Sequence, residues 1–243
     1  YYIMNIEEIY NNYLKSVLSN YYSDETFIKC YNYVPKLRDE TFKYCINYFE
    51  NYNKINIVEL GTSRSFVDGK YRGCLKTDIK YWEPTNYEKW DWSAGIFTKY
   101  MSDILSYKNK SYHLTSIDLS KDAIEICKTM TKNNDKNMSY IVDSSENFLN
   151  NCSAQSIDLL YLDTGNMDEN TAKLHLREAE IIVKKDLLKN DGLILIDDVR
   201  NPHMILRKLT DDHYGKSKYA IPYFLKNGYK IIMDEYQVIL KKK

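Results

Sequence analysis

Short apolar runs of strand length recur from residue 55 to residue 240, and most of them stop at an acid. They are INIVEL (55–60), HLTSID (113–118), MSYIVD (138–143), IDLLYL (157–162), GLILID (192–197), YKIIM (229–233) and YQVIL (236–240). Longer amphipathic stretches separate the first six, near 94–107, 120–133, 144–150, 169–189 and 203–227. Alternation of this kind predicts a mainly parallel sheet with helices on both faces. Only Asp234 and Glu235 separate the last two runs. That gap is too short for a crossover and predicts an antiparallel hairpin.

Upstream of this pattern, apolar residues recur at spacings of three and four: Ile6, Ile9, Tyr10 and Tyr13, then Phe42, Cys45, Ile46 and Phe49. This is helical periodicity. It predicts an N-terminal helical cap over 1–54 that forms a single unit with the α/β domain over 55–243. At 243 residues and 44% hydrophobic content the chain can bury one large core. Lys+Arg and Asp+Glu both number 34, so no global field draws it to nucleic acid or to an anionic membrane. No stretch approaches the roughly 20 apolar residues of a membrane span, and YYIMNIEEIYNNYLKS does not read as a signal peptide. Five cysteines without CxxC pairing predict free thiols in a reducing cytoplasm and no structural zinc. Homo-oligomerisation is left open.

Open α/β sheets bind ligands beyond the carboxyl ends of their strands. Five strands here end there in acids: Glu59, Asp118, Asp143, Asp163 and the pair Asp197-Asp198. One such acid reads equally well as a helix cap, but five in register mark a ligand site. After the first strand, IVELGTSRS places Gly61, Thr62, Ser63 and Ser65 where a nucleotide-binding loop belongs, with hydroxyls in place of further glycines. A loop so poor in glycine does not suit a pyrophosphate and disfavours NAD. Asp143-Ser144 in IVDSSENFL also reads as a helix N-cap.

The open sheet closed by an antiparallel hairpin resembles that of the class I S-adenosylmethionine-dependent methyltransferases, and ELGTSRS resembles their ExGxGxG motif with Ser63 and Ser65 at the later glycines. The resemblance covers about residues 55–243 and implies a doubly wound Rossmann-like sheet of seven strands. It implies that S-adenosylmethionine is held by Glu59, Gly61, Thr62, Ser63 and Ser65, by Asp118 with Leu119 at the ribose, and by Asp143 and Ser144 at the adenine, with Asp163 bordering it. Asp163 in LLYLDTGN and Asp197-Asp198 in LILIDDVRN further resemble the metal-dependent O-methyltransferases of the catechol and macrocin (sugar) types. In those families such acids bind a divalent cation. Three converging carboxylates repel one another unless a cation neutralises them, and all-oxygen ligation suits Mg²⁺. A plainer reading has Asp198 capping a helix and Asp197 solvated.

The expected function is therefore metal-assisted O-methylation of a small molecule such as a sugar or polysaccharide precursor. These families place an Asp or a Lys two or three residues after the first metal acid, where this chain has Gly165 and Asn166. A general base must come from elsewhere. Asp168, His175 and His203 are the candidates, His203 preferred for its proximity to the acid pair. The excursion over 66–95, with Trp82, Trp90, Trp92, Tyr71, Tyr81 and Tyr87, reads as a lid or as a satellite core. The alternatives are a metal-independent methyltransferase whose acids position the acceptor, and a non-catalytic cofactor-binding protein.

Overall fold

Seven strands form one sheet in the order β3-β2-β1-β4-β5-β7-β6. In this computed structural model residues 38–62, 96–166, 168–200 and 215–243 are described. The elements are α1 (Asp39–Tyr48), β1 (Lys54–Leu60), α2 (Ile96–Tyr107), β2 (Ser111–Asp118), α3 (Lys121–Thr131), β3 (Met138–Val142), α4 (Ser145–Asn151), β4 (Ile157–Leu162), α5 (Glu169–Lys184), β5 (Leu188–Ile196), α6 (Ala220–Lys226), β6 (Tyr229–Asp234) and β7 (Val238–Lys242), with 3₁₀ turns at Lys132–Asn137 and Gly215–Ser217. Strands β1 to β5 are parallel, and β7 lies antiparallel between β5 and β6.

Burial on both faces explains why β4 reads as an unbroken apolar run, since every one of its residues is buried. Leu160 and Leu162 pack into the cluster that holds Ala179 and Ile182 of α5 and Phe224 of α6. Tyr161 points the other way, stacked on Phe97 of α2 at 4.1 Å between centroids and edge-on to Phe42 of α1 at 6.0 Å. Of the segment 1–54 the structure describes α1, which packs against Tyr161 of the sheet through Phe42, and the start of β1; residues 1–37 lie outside the described residues.

Two boundaries differ from the sequence reading. The helix expected over 169–189 ends at Lys184 because Asp186 adopts the left-handed conformation, φ 53°. There the Leu187 and Asp186 N–H groups donate to the Ile182 and Val183 carbonyls, a Schellman ending with Asp in the usual glycine place. Strand β5 then starts at Leu188, not 192, because polar Lys189, Asn190 and Asp191 form an irregularity between the pairs Ile157/Leu188 and Leu159/Leu193. The hairpin turn covers residues 235–237 and displaces the last strand to Val238–Lys242. Of the helix expected over 203–227, 203–214 lies outside the described residues, and the rest is the turn at Gly215–Ser217 followed by α6.

Candidate functional site

The strand ends line up because the residue after each strand continues the ladder. Asp143 N–H donates to the Asp118 carbonyl, Gly61 to Ile117, Asp163 to Leu60 and Asp197 to Leu162, at 2.8 to 3.1 Å. These residues therefore lie in one row at the carboxyl edge, and strand order reverses between β1 and β4. At that reversal Gly61 is obligatory. Its φ is +77°, and a Cβ there would lie 2.6 Å from the Asp163 carbonyl oxygen. Gly61 thus lets the turn after β1 lie against the loop after β4.

Beside this turn Asp118 accepts hydrogen bonds from the Thr62 N–H (3.0 Å) and the Ser120 N–H (2.7 Å). Both oxygens retain lone pairs for a ligand. The Thr62 hydroxyl is buried and has no hydrogen-bond partner among the described residues. Leu119 and Val142, at the ends of the neighbouring strands β2 and β3, are exposed to 75% and 51%. A carboxylate with lone pairs to spare and two exposed aliphatic side chains together suit a ribose and an adenine ring. Asp143 accepts from the Ser144 N–H and the Asn147 side chain, and Ser144 caps α4 by accepting from the Asn147 N–H. Glu59 points inward, its carboxylate accepting from Ser116 (2.5 Å) and Thr98. Ser63 and Ser65 lie outside the described residues.

Asp163, Asp197 and Asp198 converge at the ends of β4 and β5, one oxygen of each within 4.8 Å of the others. Two basic groups that the sequence reading did not single out sit among them. Arg38, at the start of α1, donates from Nε and Nη2 to both oxygens of Asp197, at 2.9 and 2.8 Å, and reaches Asp198 at 3.4 Å. Lys216, on the turn before α6, places Nζ 2.5 Å from Asp163 Oδ1 and 3.2 Å from Asp198 Oδ2. Gln237 adds a donor to Asp197 at 2.8 Å, and the Tyr236 hydroxyl donates to Asp198.

This arrangement sets the charges. Burial works against the Lys216 ammonium, but Asp163, Asp198 and Asp197 outweigh it and hold the group protonated beyond the ordinary lysine range. Burial likewise opposes ionisation of Asp198, yet Lys216 and Arg38 bring it down to about 2. Asp163 is pushed up by burial and then by Asp197, against the pull of Lys216. A divalent cation would need the oxygens that the ammonium already bridges. As assembled, the three acids do not fit a divalent ion.

Two candidate bases have other work. His175 is fully buried; its Nε2 lies 3.1 Å from the Thr164 carbonyl and its Nδ1 2.6 Å from the Ser217 hydroxyl. A carbonyl only accepts, so Nε2 carries the proton and Nδ1 accepts from Ser217. Burial, with Lys216 nearby, lowers its pKa to about 3, too low for a base at neutral pH. Asp168 is the N-cap of α5, accepting from the Thr171 N–H at 2.8 Å. The structure thus gives both residues structural contacts, and the geometry does not bring Asp168 into the acid cluster. His203 lies outside the described residues, as does the segment 66–95.

No protein-family model matches the chain, and no curated protein matches its sequence. Solved structures do resemble it. A Corynebacterium glutamicum protein superposes with TM-score 0.55 at 13% identity, over 98% of this chain and 97% of its own. A Staphylococcus aureus protein described as a caffeoyl-CoA O-methyltransferase gives TM-score 0.53 at 17% identity, over 97% and 99%. A Clostridium thermocellum protein described as an rRNA methylase gives TM-score 0.50 at 10% identity, over 84% and 96%. The fold is that of the class I methyltransferases. Among the described residues no helix is long and apolar enough to cross a membrane.

Proposed function

We propose that this chain is an S-adenosylmethionine-dependent O-methyltransferase acting on a small hydroxylated acceptor, of which a sugar or polysaccharide precursor is the leading case. The observation that carries the reading is the Asp118 carboxylate, held at the reversal of strand order by the Thr62 and Ser120 N–H groups with lone pairs to spare, beside exposed Leu119 and Val142. These groups suit a nucleoside without a pyrophosphate. When bound, the cofactor supplies an electrophilic methyl group. Asp118 accepts hydrogen bonds from its ribose hydroxyls, and Asp163 and Asp198, less buried than Asp197, offer oxygens that accept hydrogen bonds from an acceptor's hydroxyls. The proton acceptor expected from the sequence, His203, stays part of this reading.

A second reading, assistance by Mg²⁺ at Asp163, Asp197 and Asp198, is supported by the spacing of the three carboxylates. It requires Lys216 to leave them.

Calorimetry tests the cofactor assignment. S-adenosylmethionine and S-adenosylhomocysteine should bind and NAD should not, and Asp118→Ala should weaken binding at least tenfold. Binding of NAD in preference, or of neither adenosyl compound, would refute it. Turnover on a panel of hydroxylated acceptors then separates an enzyme from a binding protein.

A further inference from the structure

We propose that Lys216 is a built-in substitute for a divalent cation, so that this acid cluster is assembled and neutralised by the chain itself. Its ammonium occupies the position between Asp163 and Asp198 and is almost wholly withdrawn from solvent, 1% exposed. Oxygen ligands approach a divalent ion to about 2.0 to 2.6 Å. An ion at that distance from Asp163 Oδ1 and Asp198 Oδ2 would have to share these two atoms with an ammonium 2.5 and 3.2 Å from them. Asp197 is withdrawn from the competition as well, with both oxygens bound by Arg38 and one also by Gln237.

Lys216 is also held as a ligand shell holds an ion. The preceding Gly215 has φ +50° and is pressed against the Asp198 backbone, where a Cβ would lie 2.1 Å from the carbonyl oxygen. The following Ser217 is bonded to His175, whose other nitrogen bonds the carbonyl of Thr164, the neighbour of Asp163. One imidazole thus fixes the spacing between the backbone of the acid and the backbone of the lysine. Asp198 is itself in the left-handed region, φ 52°, a strained conformation that persists where surrounding contacts enforce it. The order built around the position a metal would take is centred on Nζ.

The test is Mn²⁺ binding, read by the loss of the free-ion paramagnetic resonance signal and by thermal unfolding, in wild type and in Lys216→Ala. Wild type should bind no Mn²⁺ and show an unchanged Tm. Removal of the ammonium should open a site that takes one Mn²⁺ per chain and raises Tm by about 5 °C or more when the ion is at roughly a hundredfold its dissociation constant. Adding Asp163→Asn to that variant should abolish the gain. Stoichiometric Mn²⁺ binding by wild type that is lost on Asp163→Asn would overturn the proposal. So would a folded Lys216→Ala variant that binds none. The wild-type measurement decides even if the variant does not fold. Neither measurement involves methyl transfer, so failure here leaves the cofactor assignment standing.

Discussion

Glu178 and His175 lie one turn apart on α5, both fully buried, and their protonation pulls stability in opposite directions. Glu178 accepts from the Thr164 hydroxyl at 3.0 and 3.1 Å and from Ser145. Burial leads its shift from 4.5 to about 7, with Glu146 adding and the hydroxyls and Lys216 opposing. Because the folded chain holds this proton longer than the unfolded chain, the stability it contributes is full below pH 4.5 and is lost as pH rises to about 7. His175 is lowered from 6.5 to about 3. There the unfolded chain takes the proton first, so its contribution is full above pH 6.5 and is lost as pH falls towards 3. Between pH 4.5 and 6.5 the two slopes, each at most about 1.4 kcal/mol per pH unit, oppose one another and leave stability nearly level. Glu178→Gln removes one of them while keeping an amide oxygen for Thr164 and Ser145. Its unfolding free energy, measured in urea across that window, should rise relative to wild type by up to about 2.7 kcal/mol as pH increases. A difference between the two proteins that does not change with pH would refute the assignment of a raised carboxyl at Glu178.

Two further perturbations probe the frame of the site. Gly61→Ala should cost about 3 kcal/mol, from the positive φ and the contact with the Asp163 carbonyl, and a Tm within about 2 °C of wild type would contradict it. Arg38→Ala strands a fully buried Asp197 carboxylate and should cost about 3 to 5 kcal/mol. Asp197→Asn on top of it should restore part of that loss, and strictly additive losses in the double mutant would show that the two side chains are not coupled.

Strand ends were legible in the sequence because fully buried parallel strands are apolar runs with abrupt polar stops. The row Asp118, Asp143, Asp163 and Asp197 follows from those stops, since equal strand ends bring successive residues side by side. The charge partners were not legible. Arg38 lies 159 residues from Asp197, and Lys216 lies 53 from Asp163. Nothing in KLRDE or YGKSKY sets either apart from the other basic residues; Gly215 before Lys216 is the only local hint, and only its positive φ explains it. Three converging carboxylates need a cation. The sequence alone leaves open whether that cation is a metal or a side chain. The early start of β5 escaped for a different reason: Lys189, Asn190 and Asp191 have turn composition and sit within a strand irregularity.

Strand β7 follows β6 in sequence yet lies between β6 and β5, so the strand that pairs with the edge of β5 is synthesised after β6. During synthesis the parallel half, β1 to β5, emerges first with the edge of β5 unpaired, a surface that other strands can capture. Only when residues 238–242 arrive is that edge covered. The same hairpin carries Tyr236 and Gln237 to Asp198 and Asp197. Closing the sheet against aggregation and completing the acid cluster are therefore a single event, and a nascent chain that has not closed its edge has no finished site to offer.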